Sequence, residues 1–184
     1  DDELAYTDNT NRTLLEVAET QAIASGRLLV ISNISKKPNI IQLLMLAKAH
    51  RFIPVLVSSR KISTLELIKL HCPFFRLADM DECRTWLKTH NIPLLGIEIM
   101  DSAVSVDAEP FFDRIAFMPG NEGTGLSDAQ KRACDGYVII PQYGKASASL
   151  NVHIATCIVL YRFVAWTRDT TDTAIAADAS GAQS

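Results

Sequence analysis

Charge of one sign is the first thing this sequence lacks. It has 18 Lys and Arg against 21 Asp and Glu, a net charge of −3. Bulk electrostatics therefore does not announce a nucleic-acid partner, and any phosphate contact must come from a local basic face. Cysteine is sparse. Cys72, Cys83, Cys134 and Cys157 include no C-x-x-C pair, and no His stands at zinc-ligand spacing from them. A disulfide scaffold is excluded, and a metal site is the less favoured reading beside reduced core or near-surface thiols of an intracellular protein. Long apolar runs are missing too. The longest, Ile154 to Trp166, is broken by Arg162 and is shorter than the roughly 20 residues that cross a bilayer, so no membrane partner is expected. Neither an internal repeat nor a low-complexity core segment is present. The chain begins Asp1-Asp2 without Met, which reads as a fragment or a processed product, so the missing targeting peptide carries no weight. The expected compartment is the mitochondrial matrix if the N-terminus is processed, and otherwise the cytoplasm or nucleus.

What is present is an ordinary globular composition. At 184 residues with 48% hydrophobic residues, the chain suits one domain with a sizeable core. Residues 1–26 read as an N-terminal extension with a helix from Asn11 to Ser25, 27–167 as the main domain, and 168–184 as a disordered tail rich in Thr, Ala, Asp and Ser. Within the domain, continuous apolar strands alternate with helices. Strands are predicted at Arg27–Ser32, Ile53–Ser58, Phe74–Leu77, Leu94–Met100, Arg114–Met118 and Asp135–Ile140. Helices are predicted from Pro38 to Phe52, at Leu65–Leu70, from an Asp79 cap to His90, after Ser127, and from Ser149 to Thr167. The alternation implies an α/β fold with a mostly parallel, doubly wound sheet. Ligands in such sheets sit beyond the carboxyl ends of the strands, so the loops after Met118 and Ile140 come first.

The first of these loops reads Pro119-Gly120-Asn121-Glu122-Gly123-Thr124-Gly125-Leu126-Ser127. Its glycines permit positive φ and close approach of a ligand, although a plain strand-to-helix turn is the blander reading. It is neither a P-loop, having no Lys-Ser/Thr after the last glycine, nor a G-x-G-x-x-G fingerprint. Glu122 inside it needs a partner, because an unpaired buried carboxylate is costly. The second stretch runs Ile139-Ile140-Pro141-Gln142-Tyr143-Gly144-Lys145-Ala146-Ser147-Ala148-Ser149-Leu150-Asn151-Val152. Ser147 or Ser149 can cap the long helix. Asn151 in its first turn is harder to explain, since a buried amide must be hydrogen-bonded.

Together the two stretches resemble the SpoU branch of the SPOUT superfamily of RNA methyltransferases. The family's second motif reads like Gly-Asn-Glu-Gly-x-Gly-Leu. Its third reads like Ile-Pro-x-x-Gly followed by Ser-Leu-Asn-Val and an apolar helix. The resemblance covers about Leu28 to Trp166. It implies a C-terminal trefoil knot, an exception to the rule against threaded loops, and S-adenosylmethionine as cofactor. By resemblance, Met118, Gly120, Asn121, Gly123, Ile140, Gln142, Gly144 and Leu150 bind that cofactor. Asn39, Glu122, Ser149 and Asn151 are implied as catalytic or loop-bracing residues. No metal is implied. The implied partners are rRNA or tRNA, a second copy or a paralogue in a dimer, and in one reading a ribosomal assembly particle.

The first family motif departs from the pattern Asn-x-Gly-x-x-x-Arg-x-Ala. Here Asn39 and Ala47 match, but Ile41 replaces the glycine and Met45 the arginine. In the family that Arg activates or orients the ribose 2′-hydroxyl, and a Met has neither donor nor charge. Losing such assistance costs a factor of about 10² to 10⁴. Arg51 is the nearest replacement, on another face of the helix. His50, His71, His90 and His153 are scattered and read as ordinary half-buried or surface residues. Lys36-Lys37, Arg51 and Arg60-Lys61 read equally as solvated charge or as RNA backbone contacts. The last helix is apolar on two stripes, Leu150, Ile154, Ile158 and Tyr161 on one and Val152, Ala155, Val159 and Phe163 on the other, so it should be buried on two sides. Two functions follow. One is an RNA ribose 2′-O-methyltransferase; the other is a catalytically weak or inactive relic that binds RNA as a ribosome assembly factor.

Overall fold

A computed structural model of the chain describes residues 16–58, 62–63, 66–67, 70–144 and 149–181, with side chains as far as 168. Helix α1 occupies 16–25. After it come β1 (Arg27–Ser32), α2 (Lys37–Ala49), β2 (Ile53–Val57), β3 (Phe75–Leu77) and α3 (Met80–Thr89). The second half holds β4 (Leu94–Ile97), β5 (Val104–Ser105), β6 (Ile115–Pro119), α4 (Asp128–Ala133), β7 (Gly136–Ile139) and α5 (Val152–Gly181). The strands form a 7-stranded sheet in the order β3-β2-β1-β6-β4-β7-β5. Every neighbouring pair is parallel, so all carboxyl ends lie along one edge.

Alternation along the central strands builds a core on each face of the sheet. Leu28 and Val30 of β1, with Ala116 and Met118 of β6, pack under α1, α3 and α4. Leu29 and Ile31, with Ile115 and Phe117, pack under α2 and α5. On this second face Phe52, Phe111, Phe117 and Phe163 meet at ring-centroid distances of 5.3 to 6.0 Å. Phe163 thereby fixes the inner stripe of α5 to the sheet, with Val152, Val159 and Leu160 also buried. The outer stripe stays open in the single chain, with Ile154 45% and Tyr161 65% exposed. The sequence stripes are therefore both present, and the chain itself covers one of them.

Caps mark the helix starts. Asp79 accepts the Glu82 N–H at 2.8 Å, and Ser127 with Gln130 forms a reciprocal capping box. The predicted Ser149 start of the last helix is corrected. Asn151 stands just before α5, exposed, and its Oδ1 accepts the His153 N–H at 3.1 Å. It is thus an N-cap and not a buried amide in the first turn, and Asn serves at least as well as Ser in this place. Ser147 lies outside the described residues, as do parts of the helix predicted at 65–70. The far end of α5 also differs: it continues past Thr167 to Gly181. Ala174, Ala176, Ala177 and Ala179 favour helix, and lengthening an existing helix needs no new nucleus. Strand β5 and the 3-10 turn after it, Val106–Ala108, went unpredicted. Two strand residues are too few to show a period.

Candidate functional site

The loops after β4, β6 and β7 converge where the sheet's carboxyl edge meets α5. The loop after β6 closes on itself through paired backbone bonds between Asn121 and Gly125, each 3.0 Å. The Asn121 side chain then ties it down at both ends. Its Oδ1 accepts the Gly123 and Thr124 N–H groups at 2.9 and 3.2 Å. Its Nδ2 donates to Asn33 O at 2.6 Å and Ser35 Oγ at 2.7 Å, across to the connection between β1 and α2.

Glu122 makes the second tie to the same connection. Its carboxylate accepts the N–H of Ser35 at 3.0 Å and of Lys36 at 3.2 Å. It also accepts Asn39 Nδ2 at 2.6 Å, from a residue 83 positions away. The N-cap of α2, Lys36, has no side-chain cap of its own, so Glu122 satisfies free N–H groups there and places negative charge at the positive helix end. Burial pushes the Glu122 pKa up, but the Asn39 amide and the backbone donors outweigh it and hold the carboxyl at about 2. Its side chain is ionised at neutral pH.

A second acid, Glu98, follows β4. Its Oε1 accepts the Ile99 N–H and its Oε2 the Leu126 N–H, both at 2.9 Å. This explains two of the glycines in a way the sequence reading did not anticipate. A Cβ at Gly120 or Gly125 would run into the Glu98 carboxylate, and Gly125 also has φ +66°. The close approach at these positions is by the chain's own carboxylate. A Cβ at Gly123 would make only an ordinary contact, with Asn121 Oδ1 at 3.8 Å.

The three loops and the start of α5 enclose a cavity of about 420 Å³, within the range of small-ligand sites. Pro119, Ile140, Leu150 and Val152 give it apolar walls, and Glu98, Glu122 and Lys131 give it charge. A model of the SpoU rRNA Methylase family matches residues 26–161. The chain belongs to this family. The 23S rRNA (guanosine-2'-O-)-methyltransferase RlmB of Coxiella burnetii is 32% identical over 89 residues, 48% of this chain and 35% of that protein. The A. aeolicus TrmH/SpoU tRNA modifying enzyme superimposes with a TM-score of 0.66 at 17% identity, over 86% of each chain. The SpoU methyltransferase AviRb from Streptomyces viridochromogenes, in complex with the cofactor AdoMet, gives a TM-score of 0.64 at 22% identity, over 76% of this chain and 57% of that one. These superpositions establish the fold. The chain spans about a third of the length of the curated relatives it matches.

Within this SpoU fold the residues singled out from sequence separate into two groups. Gly120, Asn121, Glu122, Gly123, Ile140 and Gln142 line the cavity, as do Ser149 and Leu150. Met118 does not. It is 0% exposed in the core beneath α4, and its sulfur accepts from Gln130 Nε2 at 3.7 Å; strand alternation sends Pro119, the last residue of β6, to the cavity and Met118 before it to the sheet's other side. Gly144 is exposed and Asn151 caps α5, and neither lines the cavity. Asn39 is 8% exposed and reaches the site through Glu122. The sequence reading missed Glu98 and Lys131. The rule that ligands sit beyond strand ends applies to β4 as well, but only the sheet order shows that β4 lies between β6 and β7.

The two altered positions of the first-motif helix differ in packing. Met45 is 45% exposed, whereas Ile41 is half-buried against the core. Arg51 sits beyond the end of α2, exposed, with φ 60°. Lys37 pairs with Glu66, and Arg60 and Lys61 lie outside the described residues. His50 and His90 set Nδ1 against the main-chain oxygens of Leu46 and Trp86 at 2.9 and 2.8 Å, the helix-end role expected of ordinary histidines. The cavity suits S-adenosylmethionine in kind: apolar walls for a flat ring system, and carboxylates beside which a sulfonium cation is favoured. No described helix is long and apolar enough to cross a membrane.

Proposed function

We propose that this chain is the catalytic-fold domain of a SpoU-type RNA ribose 2′-O-methyltransferase that uses S-adenosylmethionine and acts on rRNA or tRNA. The observation that carries the reading is the double tie of the glycine loop, through Asn121 and Glu122, to the start of α2. It joins the cofactor-side loops and Asn39 into one hydrogen-bonded unit beside the cavity. A knotted C-terminal part belongs to the same reading, and the position of β7 between β4 and β5 supports it. Dimerisation, with a second copy or a paralogue, is supported by the open apolar stripe of α5. The test of that point is Ile154→Asp, which should give a monomer of unchanged fold in light scattering. Val159→Asp would not serve, because Val159 is fully buried in the chain's own core.

When bound, S-adenosylmethionine supplies a methyl group made electrophilic by its sulfonium. The chain's residues bind and orient. Ile140 and Leu150 would give the adenine apolar walls, and main chain near Gly120 and Gln142 would help to hold it. Asn39 Nδ2 is engaged by Glu122, which leaves Oδ1 to accept a hydrogen bond from the ribose 2′-hydroxyl. Ser149 and the Asn151-capped start of α5 brace the third loop from the other side. No residue on α2 replaces the family's arginine, so turnover by the chain alone is slow. A paralogue's arginine in a composite site would restore it. Calorimetry with S-adenosylmethionine, followed by tritiated methyl transfer to total rRNA and tRNA, tests the reading. We expect binding, with weak incorporation that rises in Met45→Arg. Absence of heat at millimolar cofactor would overturn it.

The exposed Met45 supports a second reading, an RNA-binding assembly factor that retains the pocket without catalysis. It is preferred if Met45→Arg binds cofactor and still transfers nothing.

A further inference from the structure

Among the described residues, three charged side chains line the cavity, and two of them are committed within the chain. Glu98 accepts from the N–H groups of Ile99 and Leu126. Glu122 accepts from Ser35, Lys36 and Asn39. Lys131 differs. It stands in the last turn of α4, half-buried, on the cavity wall. Its main-chain oxygen accepts from the Tyr137 hydroxyl at 3.0 Å, which fixes the backbone beneath it. Among the described residues, its ammonium makes no ion pair and no side-chain hydrogen bond. A half-buried cation on a cavity wall favours an anionic group in the ligand.

Lys131 shares its cavity with two carboxylates. A polyanion such as a phosphate chain would gain from Lys131 and be repelled by Glu98 and Glu122. A ligand with one negative and two positive centres meets no such conflict. S-adenosylmethionine is that ligand: sulfonium and α-ammonium against one α-carboxylate. The two carboxylates and one ammonium among the described lining residues are its complement in sign and number. We infer that Lys131 binds the α-carboxylate of the cofactor's amino-acid end and so sets which way round the cofactor lies. The inference rests on the cofactor reading above and adds to it a residue and an orientation.

The test separates the two. S-adenosylhomocysteine carries the amino-acid end and a neutral sulfur; 5′-methylthioadenosine keeps the adenosine and the neutral sulfur and lacks the amino acid. Both are titrated calorimetrically into the full chain and into Lys131→Ala and Lys131→Arg, with thermal denaturation alongside to confirm folding. Lys131→Ala should bind S-adenosylhomocysteine about 10-fold more weakly, the size of one charge-assisted hydrogen bond, and 5′-methylthioadenosine unchanged. Lys131→Arg should restore most of the loss. Equal weakening of both ligands, or of neither, would overturn the assignment. So would a loss confined to RNA binding, which would make Lys131 a phosphate contact. If the unaltered chain binds neither adenosine ligand, the cofactor reading itself fails, and the assignment with it.

Discussion

The glycine loop after β6 and the outer face of α2 carry two motifs of one family, yet they are built in opposite ways. In the loop nearly every polar group is spoken for. The Asn121 side chain makes four hydrogen bonds and the Glu122 side chain three, and Glu98 fills the space that Gly120 and Gly125 leave. On α2 the face that carries Met45 points to solvent. A change in the loop must disturb several contacts at once, so its sequence is constrained by folding as well as by any ligand. A change at Met45 disturbs almost none. The altered first motif therefore speaks about chemistry at that face, and the intact second motif speaks partly about stability.

The largest effect expected from this contrast is at the shared tie. Glu122→Ala should cost about 3 kcal/mol, because it strips acceptors from a buried Asn39 amide and two helix-start N–H groups. Urea denaturation measures it, and a cost under about 0.5 kcal/mol, the level of ordinary surface changes, would mean that the tie is not structural. Next come the glycines. Gly125→Ala should cost about 2 kcal/mol, from the left-handed backbone and the displaced Glu98. Gly123→Ala should stay within about 0.5 kcal/mol, since its Cβ meets only an ordinary contact with Asn121 Oδ1. Equal costs at the two would break the account of why the loop holds glycine.

A smaller effect is a pH slope. The Glu122 pKa lies at about 2, below its usual 4.5. The unfolded chain therefore binds more protons between these values, and the contribution of Glu122 is complete above pH 4.5 and lost as the pH falls through about 2. Glu66, paired with Lys37, is also held at about 2 and titrates in the same window. Glu122→Gln should accordingly flatten the acid limb of the stability curve by up to about one proton, leaving the Glu66 part in place. An unchanged limb would show that the carboxylate's partners are lost in solution. Smallest in stability is Met45→Arg, expected within about 0.5 kcal/mol because the side chain is exposed. It can be made without Ile41→Gly, since Ile41 packs inward and does not crowd it. A large destabilisation would show that the face is covered.

Local order was readable in the sequence because its causes are local. Apolar runs located the strands to within a residue or two at most ends. The caps at Asp79 and Ser127 follow from side chains reaching N–H groups three residues on. The two stripes of α5 follow from the helical period. The glycine loop and the stretch from Ile140 to Leu150 were identifiable by residue type and order. Tertiary structure decided which groups meet. Strand order brought β4 between β6 and β7, and with it Glu98 into the site, 28 residues from the Leu126 N–H it accepts. The chain path set Glu122 on Asn39 across 83 residues. It turned Met118 into the core and left Lys131 facing a cavity that no stretch of sequence encloses by itself. Periodicity and capping depend on neighbours within a turn or two of the chain. A site at the edge of a parallel sheet depends on which strands lie side by side, and that is set by packing the whole domain.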